Sequence, residues 1–198
     1  MPGLNYMDIK NEHMDSMKTR MTIRKYSDSK IADSLLEELL NIACRSSNTG
    51  NMQAYSVIVT KDFEIKKQLA PCHFNQSQIL DAPVVLTFCA DLNRISRWCA
   101  INSAKHGFDN IQAFTFAAID AVILAQTFCV AAEEKGLGIC YLGTTTYNPL
   151  EISGILKLPE LVMPVTTVTV GYPAKDSIAK LSDRLQLKSI MHNEYYKN

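Results

Sequence analysis

Two long apolar stretches dominate the pattern of hydrophobic and polar positions along the chain. Residues 83–89 form an apolar run of strand length, which is typical of a central strand buried on both faces. Residues from about 111 to 135 are apolar on nearly every helical face, which predicts a long helix at the centre of the molecule. Gly136 follows directly and predicts a C-cap that ends this helix.

Shorter periodic segments predict the remaining elements. Alternating and β-branched positions predict strands at 55–60, 138–142 and 165–171. Helical spacing predicts helices at about 8–18, 35–45, 62–69 and 92–105. Ser34 and Glu37 form a capping box for the second of these helices. Asn148 as cap and Pro149 in the first turn begin another helix near residue 148.

The order of these elements favours an α+β fold. Strands are scattered among helices of unequal length, which does not fit a regular βαβ series. No repeat or linker divides the chain, and a length of 198 residues fits a single domain over residues 1–198. From about residue 176 to 198 the chain is a polar tail with scattered apolar anchors. Such a tail often wraps a partner or is simply mobile.

Charge and hydropathy argue against nucleic-acid and membrane partners. The 20 basic and 20 acidic residues give a formal net charge of zero, so no global attraction to nucleic acid or an anionic membrane exists. The apolar stretch 113–132 approaches the length of a membrane span. Asp120 and Gln126 interrupt it and three charged residues follow, so a buried core helix explains it better.

The N-terminus and the cysteines indicate a cytoplasmic protein. Charged residues at positions 8, 10, 12 and 15 stand where a secretory signal needs an apolar region. The six cysteines include no C-x-x-C pair, and several lie in apolar runs, which is typical of buried thiols in a reducing compartment. No cluster of histidines and cysteines indicates a metal site.

Glycines 136, 138 and 143 resemble a nucleotide-binding pattern but occur in the wrong context. A dinucleotide fingerprint needs a strand, then the glycines, then a helix whose N-terminus faces the pyrophosphate. Here a helix precedes the glycines and a strand follows them. The segment therefore does not predict a Rossmann phosphate site.

Two polar segments are candidates for ligand binding. In an extended chain Arg20, Thr22 and Arg24 lie on one side. Two guanidiniums and a hydroxyl suit a phosphate, although a solvated surface strand fits the same pattern equally well. The amides and hydroxyls of residues 47–53 could contact a flat heterocycle, but alone they favour an ordinary loop that caps its own backbone.

Taken together, these segments resemble the FMN-dependent nitroreductase family over residues 17–196. The opening block 20–26 is similar to the family's R-x-S-x-R-x-[FY] signature, and 48–53 to its S-x-G-N-x-Q loop. Further similar blocks lie at 75–83, 120–126, 136–143 and 170–173. The resemblance implies an α+β nitroreductase-like fold with a central mixed or antiparallel sheet of four to five strands, flanking helices and a long buried central helix. It also implies a homodimer in which the C-terminal arm, about 176–198, embraces the partner.

The resemblance also implies an activity. FMN bound across the subunit interface takes hydride from NADPH or NADH and reduces a nitroaromatic, quinone or related small-molecule acceptor in a ping-pong cycle, with no catalytic side chain. Three alternatives remain open: a non-catalytic flavin-binding protein, a flavin-dependent reductive dehalogenase on the same fold, and a cofactor-free α+β interaction domain.

The family's cofactor contacts map onto twelve residues of this chain. Arg20, Thr22 and Arg184 are expected at the FMN phosphate. Arg24 is expected at the ribityl chain or the pyrimidine side of the ring. Asn48, Asn51 and Gln53 are expected at isoalloxazine or ribityl oxygens, and Asn75 at the pyrimidine edge. The backbone of Leu142, Gly143 and Thr144 is expected to approach flavin N5, and Gln78 to lie near N1 and O2.

Three positions depart from the family pattern. Asn48 stands where serine is common and still offers a hydrogen bond. Gln78 stands where many relatives carry a lysine, and Ser182 stands at the lysine of the late K-x-R pattern. The loss of two cations predicts weaker FMN binding and a lower flavin potential than in lysine-bearing relatives.

Overall fold

A four-stranded antiparallel sheet organises the described part of the molecule. The computed structural model describes residues 17–177 and 181–197. The strands are β1 (Tyr55–Thr60), β2 (Val84–Asp91), β3 (Gly138–Leu142) and β4 (Val162–Gly171), in the order β1-β2-β4-β3. Every neighbouring pair is antiparallel. The expected sheet of four to five strands therefore has four strands within these residues, and its two edges are β1 and β3.

Six α-helices flank the sheet in the described ranges. They are α1 (Asp33–Ala43), α2 (Phe63–Cys72), α3 (Gln78–Asp81), α4 (Asn93–Ile101), α5 (Ile111–Glu134) and α6 (Pro149–Ile155). Short 3-10 turns lie at Thr49–Asn51, Gly143–Thr146 and Leu187–Ser189. The helix predicted at 8–18 falls mainly outside the described residues, of which 17–19 are helical.

The core lies between the sheet and the inner face of α5. Every residue of β2 is buried, as its apolar run predicts. Phe88 of β2 and Phe128 of α5 lie with ring centroids 6.2 Å apart, and Leu124 and Cys129 complete this face. The predicted stop at Gly136 is confirmed, since this residue has φ +76° and its N–H donates to the Glu133 carbonyl.

The outer face of α5 is exposed within one chain, which corrects the expectation of a helix buried on all sides. Ile119 and Val122 are 53% and 44% exposed, and Ile123 beside them is exposed as well. By length and composition α5 could cross a membrane. Its inner face, however, packs against the sheet, as in the core helix of a soluble protein.

Two cap predictions are wrong in their details. Helix α1 begins at Asp33, and its extended N-cap residue is Ala32. Ser34, the predicted cap, already lies inside the helix. Helix α6 begins at Pro149 as predicted, but the Asn148 side chain does not cap it. That amide donates instead to the Cys72 carbonyl at 2.9 Å.

Strand β4 begins earlier than predicted and includes Pro164. Residues Cys89 and Pro164 are paired, and the register shifts between Phe88 and Cys89. Proline has no N–H for a ladder bond, and a bulge is one of the places where a sheet tolerates it. Pro173, two residues beyond the end of β4, forms an isolated bridge with Tyr26.

The described part of the C-terminal tail, residues 181–197, is exposed almost throughout. Leu185 and Tyr196 are 73% and 78% exposed. Of the apolar residues expected to anchor this tail, Ile178 lies outside the described residues, whereas Leu187 and Ile190 are exposed. The exposed side chains of Leu187 and Ile190 are therefore not buried against the described part of their own chain.

Candidate functional site

The segment 20–26 lies along the free edge of β3. The Ile23 N–H donates to the Ile139 carbonyl at 3.0 Å, and the Tyr26 hydroxyl lies 2.7 Å from Thr169 Oγ1. This close approach explains Gly138, since a Cβ there would lie 2.6 Å from Ile23 Cβ. The sheet edge therefore holds Arg20, Thr22 and Arg24 in a fixed place.

The two arginines of this segment differ in their surroundings. Arg20 is half-buried, and its Nε lies 3.4 Å from Glu133 Oε1 at the end of α5. Burial raises the pKa of Glu133, and the Arg20 charge opposes that shift. Arg24 is exposed. Burial raises the pKa of Cys140, whereas the positive charge of Arg24 lowers it. Two guanidiniums thus lie along this edge, one paired with Glu133 and the other exposed.

Gln78 lies beside β3, close to Cys140. It is buried at the start of α3, and its Nε2 donates to Gln76 Oε1 at 2.9 Å. The same nitrogen lies 3.9 Å from Cys140 Sγ. Asn75 precedes it in the exposed turn after α2, with φ +53° and its N–H bonded to the Ala70 carbonyl. Cys140 thus lies close to both Gln78 and Arg24.

The turn that follows β3 presents backbone to open space. A Cβ added at Gly143 would meet no atom within 4 Å, so a flat ligand can approach this backbone closely. Leu142 before it is buried, and the Thr145 hydroxyl holds the turn by donating to the Leu142 carbonyl at 2.9 Å. Thr144 Oγ1 lies 2.9 Å from His73 Nδ1.

The loop 48–53 is fixed in a strained conformation. Its residues Gly50, Asn51 and Gln53 have φ of +57°, +55° and +51°. Asn48 Oδ1 accepts from the Gln53 N–H at 3.3 Å, and the Gln53 amide donates to the Asn51 carbonyl. Positive φ costs about 1 kcal/mol or more at a residue other than glycine, so outside contacts must hold this loop.

Asp120 and Arg94 supply those outside contacts. The buried Asp120 carboxylate accepts from the Thr49 N–H and hydroxyl, each at 3.0 Å. Arg94 donates to the Gln53 carbonyl at 3.4 Å and to the Tyr55 carbonyl at 2.8 Å. The charge that interrupts the apolar sequence of α5 is therefore an anchor for the loop.

The predicted cofactor residues form two separate groups in one chain. We define the β3-edge group as Arg20, Thr22, Arg24, Asn75, Gln78 and residues 142–144, and the loop group as Asn48, Asn51 and Gln53. The loop group leads into β1, at the opposite edge of the sheet. On α5, the contact points Asp120 and Glu133 lie about 20 Å apart along the helix axis. Within one chain the loop group and the β3-edge group therefore lie at opposite edges of the sheet.

A family model described as "Nitroreductase family" matches residues 17–172. The chain belongs to the nitroreductase family. Relatives include "CR(VI) reductase" of Pseudomonas sp. (strain G-1), 32% identical over 180 residues, with 90% of this chain and 73% of the relative covered. "FMN reductase [NAD(P)H]" of Bacillus subtilis is 33% identical over 193 residues, with 95% and 76% covered.

Solved structures of this nitroreductase family have the same fold. A crystal structure of a protein from Bacteroides fragilis NCTC 9343 matches with a TM-score of 0.91 and 54% identity, over 93% of this chain and 74% of that one. NfrA2 of B. megaterium matches with a TM-score of 0.90 and 34% identity, over 95% and 76%. The resemblance stated from the sequence and the predicted nitroreductase-like α+β fold are both confirmed.

Two residues that shape the candidate site of this nitroreductase-family protein were not among the predicted contacts. His73 is fully buried between α2 and the turn after β3, and burial lowers its pKa to about 4. Asp120 stood out in the sequence only as a charge in an apolar helix. Both residues form hydrogen bonds with partners distant in sequence, so no local sequence pattern indicates those partners.

One predicted contact lies apart from both groups. Arg184 is in the exposed tail, and its guanidinium donates to the carbonyls of Ser182 and Asp183. Its expected return to the phosphate therefore stays a prediction. No group of three or more metal-ligating side chains occurs among residues 17–177 and 181–197.

Proposed function

We propose that this protein is an FMN-dependent oxidoreductase that takes electrons from NADPH or NADH and reduces small molecules such as nitroaromatics and quinones. Family membership supports redox chemistry, and one relative is named "FMN reductase [NAD(P)H]". The structure of NADPH:FMN oxidoreductase from Vibrio harveyi, complexed with NAD+, is 25% identical to this chain with a TM-score of 0.86. The observation that carries the proposal is the pair of arginines on the β3 edge beside an open glycine turn.

The residues of the β3 edge fit the two ends of FMN. Arg20 contacts Glu133 through Nε, so its terminal nitrogens remain donors for a phosphate. The Thr22 hydroxyl adds a further donor at the phosphate. Arg24 lies beside Cys140, as Gln78 does, which fits its expected contact with the ribityl chain or the pyrimidine side. At the other end, the open face of Gly143 accepts a flat ring, and Gln78 offers a neutral amide to the pyrimidine side.

The chemistry that FMN supplies when bound is acceptance of a hydride from nicotinamide and transfer of electrons to an acceptor, in two half-reactions at one site. The protein residues bind the phosphate, fix the ring and exclude water. His73 is the buried titratable group nearest the turn, and with a pKa of about 4 it is neutral at pH 7. It therefore does not serve as a proton donor there, which agrees with a mechanism without a catalytic acid.

A homodimer joins the two groups into one site. The exposed outer face of α5 gives an apolar surface for a second copy. If two α5 helices pair antiparallel about an axis near Gln126, Asp120 of one chain lies level with Glu133 of the partner subunit. The loop group of one chain then meets the β3-edge group of the other. The exposed apolar residues of the tail add further surface for this contact.

The free cysteine thiols support a cytoplasmic location. All six cysteines are free, and five of them are buried. Free thiols persist where the environment is reducing. A fluorescent-protein fusion followed by fractionation tests this location.

Absorption spectroscopy of the purified protein tests the proposal most directly. We expect a yellow dimer whose visible flavin bands bleach when NADPH or NADH is added without oxygen, and return when a nitroaromatic or quinone is added. Comparison of the two bleaching rates gives the donor preference. A protein that cannot take up FMN contradicts the proposal.

Two further outcomes separate the alternatives. A flavin that neither nicotinamide bleaches indicates a non-catalytic flavin-binding protein. Release of halide from halogenated phenols, with no turnover of nitroaromatics or quinones, indicates a reductive dehalogenase. Sedimentation velocity on the same preparation measures the oligomeric state.

A further inference from the structure

The end of α2 is joined to the turn after β3 by three contacts. His73 Nδ1 lies 2.9 Å from Thr144 Oγ1, and the Asn148 amide donates to the Cys72 carbonyl at 2.9 Å. In the third contact, the rings of Phe74 and Tyr147 pack edge to face with centroids 5.6 Å apart. Of the three, only the His73 contact involves a residue expected to touch the cofactor.

The surroundings of His73 select one tautomer. The side chain is fully buried, and its Nε2 has no hydrogen-bond partner. A neutral imidazole carries one proton, so the Nε2–H form would bury a donor without an acceptor. Genuinely orphaned buried N–H groups are rare in folded proteins. The proton therefore belongs on Nδ1, where it is donated to Thr144 Oγ1.

This tautomer determines what the Thr144 hydroxyl can do. A hydroxyl has one hydrogen to donate and two lone pairs to accept. If His73 Nδ1–H donates to Thr144 Oγ1, the hydroxyl hydrogen remains available for another acceptor. The reverse arrangement would use that hydrogen on His73. Thr144 is half-buried and directly follows Gly143, where an added Cβ would meet no atom within 4 Å.

We propose that His73 is a positioning residue whose Nδ1–H orients the Thr144 hydroxyl so that it donates to an acceptor atom of bound FMN. This inference rests on the proposed function. It gives a role to a buried polar side chain that otherwise costs folding energy, since one of its nitrogens stays unsatisfied. Because burial lowers the His73 pKa to about 4, the arrangement is the same throughout the neutral pH range.

Two matched variants test the hydrogen bond. His73→Phe fills a similar volume without ring nitrogens, and Thr144→Val removes the hydroxyl at nearly constant shape. We expect each to raise the FMN dissociation constant about tenfold, or about 1.4 kcal/mol, and to shift the flavin absorption maximum. The double variant should be no weaker than either single variant, because both remove the same interaction. His73→Asn, which keeps a donor near the Nδ1 position, should restore part of the affinity.

Asn148→Ala is the matched control for a merely structural effect. It removes the hydrogen bond from the Asn148 amide to the Cys72 carbonyl, which joins the same two segments, and it leaves the His73–Thr144 hydrogen bond intact. We expect lower thermal stability with an unchanged flavin spectrum and an FMN dissociation constant within twofold of wild type. If Asn148→Ala shifts the flavin spectrum as His73→Phe does, the contacts between α2 and the turn after β3 only stabilise the fold, and the proposal fails.

Proton-coupled nitrogen NMR of the histidines is an independent test that needs no variant of His73 to fold. We expect its spectrum to show the proton on Nδ1, and a proton on Nε2 overturns the inference. Failure of the proposed function is distinguishable, because then the wild type itself does not bind FMN. A wild type that binds FMN, together with His73→Phe and Thr144→Val variants that bind it equally well, refutes this inference alone.

Discussion

The buried carboxylate of Asp120 accepts hydrogen bonds from both the N–H and the hydroxyl of Thr49, each at 3.0 Å, although the two residues lie 71 positions apart in sequence. This contact links the middle of α5 to the loop that carries Asn48, Asn51 and Gln53. Because two of those residues have positive φ, the loop relies on Asp120 for its shape. Asp120 therefore helps to fix the conformation of the loop group, although it is not itself among the expected cofactor contacts.

Asp120→Asn is expected to weaken this anchor and the flavin site with it. The amide keeps the shape of the carboxylate but removes its charge and offers one acceptor oxygen to two donors. The loss of a charged hydrogen bond at a buried site predicts about 1–3 kcal/mol lower stability, measured by urea unfolding. FMN binding should weaken as well. Gln112→Glu, an amide-carboxylate exchange at an exposed position of α5, is the control and should change neither property. Unchanged stability in Asp120→Asn contradicts the anchoring role.

Arg20 is expected to discriminate FMN from riboflavin. A charge-assisted bond to phosphate contributes about 1.5–3 kcal/mol, so Arg20→Ala should weaken FMN by about 10-fold to 100-fold. Riboflavin has no phosphate, and its affinity should change little. Isothermal titration with both ligands measures the difference. Lys25→Ala is the control, since that exposed lysine of the same segment pairs with Asp176 instead. An equal loss for riboflavin would assign Arg20 to the fold rather than to the phosphate.

Much of this architecture follows from local sequence patterns, and the shape of the site does not. Alternation in residues 55–60 predicted β1 to the residue, and the apolar run 83–89 predicted the buried β2. These signals are local, because burial on one or both faces sets the pattern within the element itself. By contrast, the His73–Thr144 and Thr49–Asp120 contacts each span 71 positions, so only the folded chain brings the partners together.

The missed details have similar causes. The Asn148 side chain has a tertiary partner, the Cys72 carbonyl, which competes with its expected role as a cap. The outer face of α5 was expected to be buried because its sequence is apolar, and within one chain nothing in the described residues covers it. The apolar pattern of α5 therefore does not by itself tell which of its faces the fold of one chain buries.

Gln78→Lys is expected to raise the midpoint potential of bound FMN. A cation near the pyrimidine side stabilises the negative charge of the reduced ring, most strongly in a site that excludes water. A change on the order of 30 mV corresponds to about 1.4 kcal/mol for the two-electron couple. A redox titration of wild type and variant measures it. Gln78→Met, similar in length and neutral, is the control for disturbed packing against Cys140. An unchanged midpoint in Gln78→Lys refutes the idea.

Buried neutral His73 predicts a specific pH dependence of stability. Its pKa falls from 6.5 to about 4 on folding, so the unfolded chain binds this proton more readily than the folded protein. Stability therefore decreases as the pH falls from about 6.5 to 4, by about 3 kcal/mol for this group alone. Urea unfolding of wild type and His73→Phe at pH 7 and pH 4.5 isolates the effect, because both share all other titrating groups. The wild type should lose more stability than the variant, and equal losses would contradict a depressed pKa.

A charge on the outer face of α5 is expected to separate the dimer and abolish FMN binding together. Ile123→Glu places a carboxylate in the centre of the apolar face that we propose to meet the second copy, where burial of an unpaired charge is costly. Sedimentation velocity should show a folded monomer, and fluorescence titration should show no tight FMN site, because the loop group and the β3-edge group then remain on separate molecules. Ile101→Glu is the control, since Ile101 on α4 is 83% exposed and lies outside this face. A monomeric variant that still binds FMN tightly would show that one chain suffices for the site, and the shared-site arrangement would have to be abandoned.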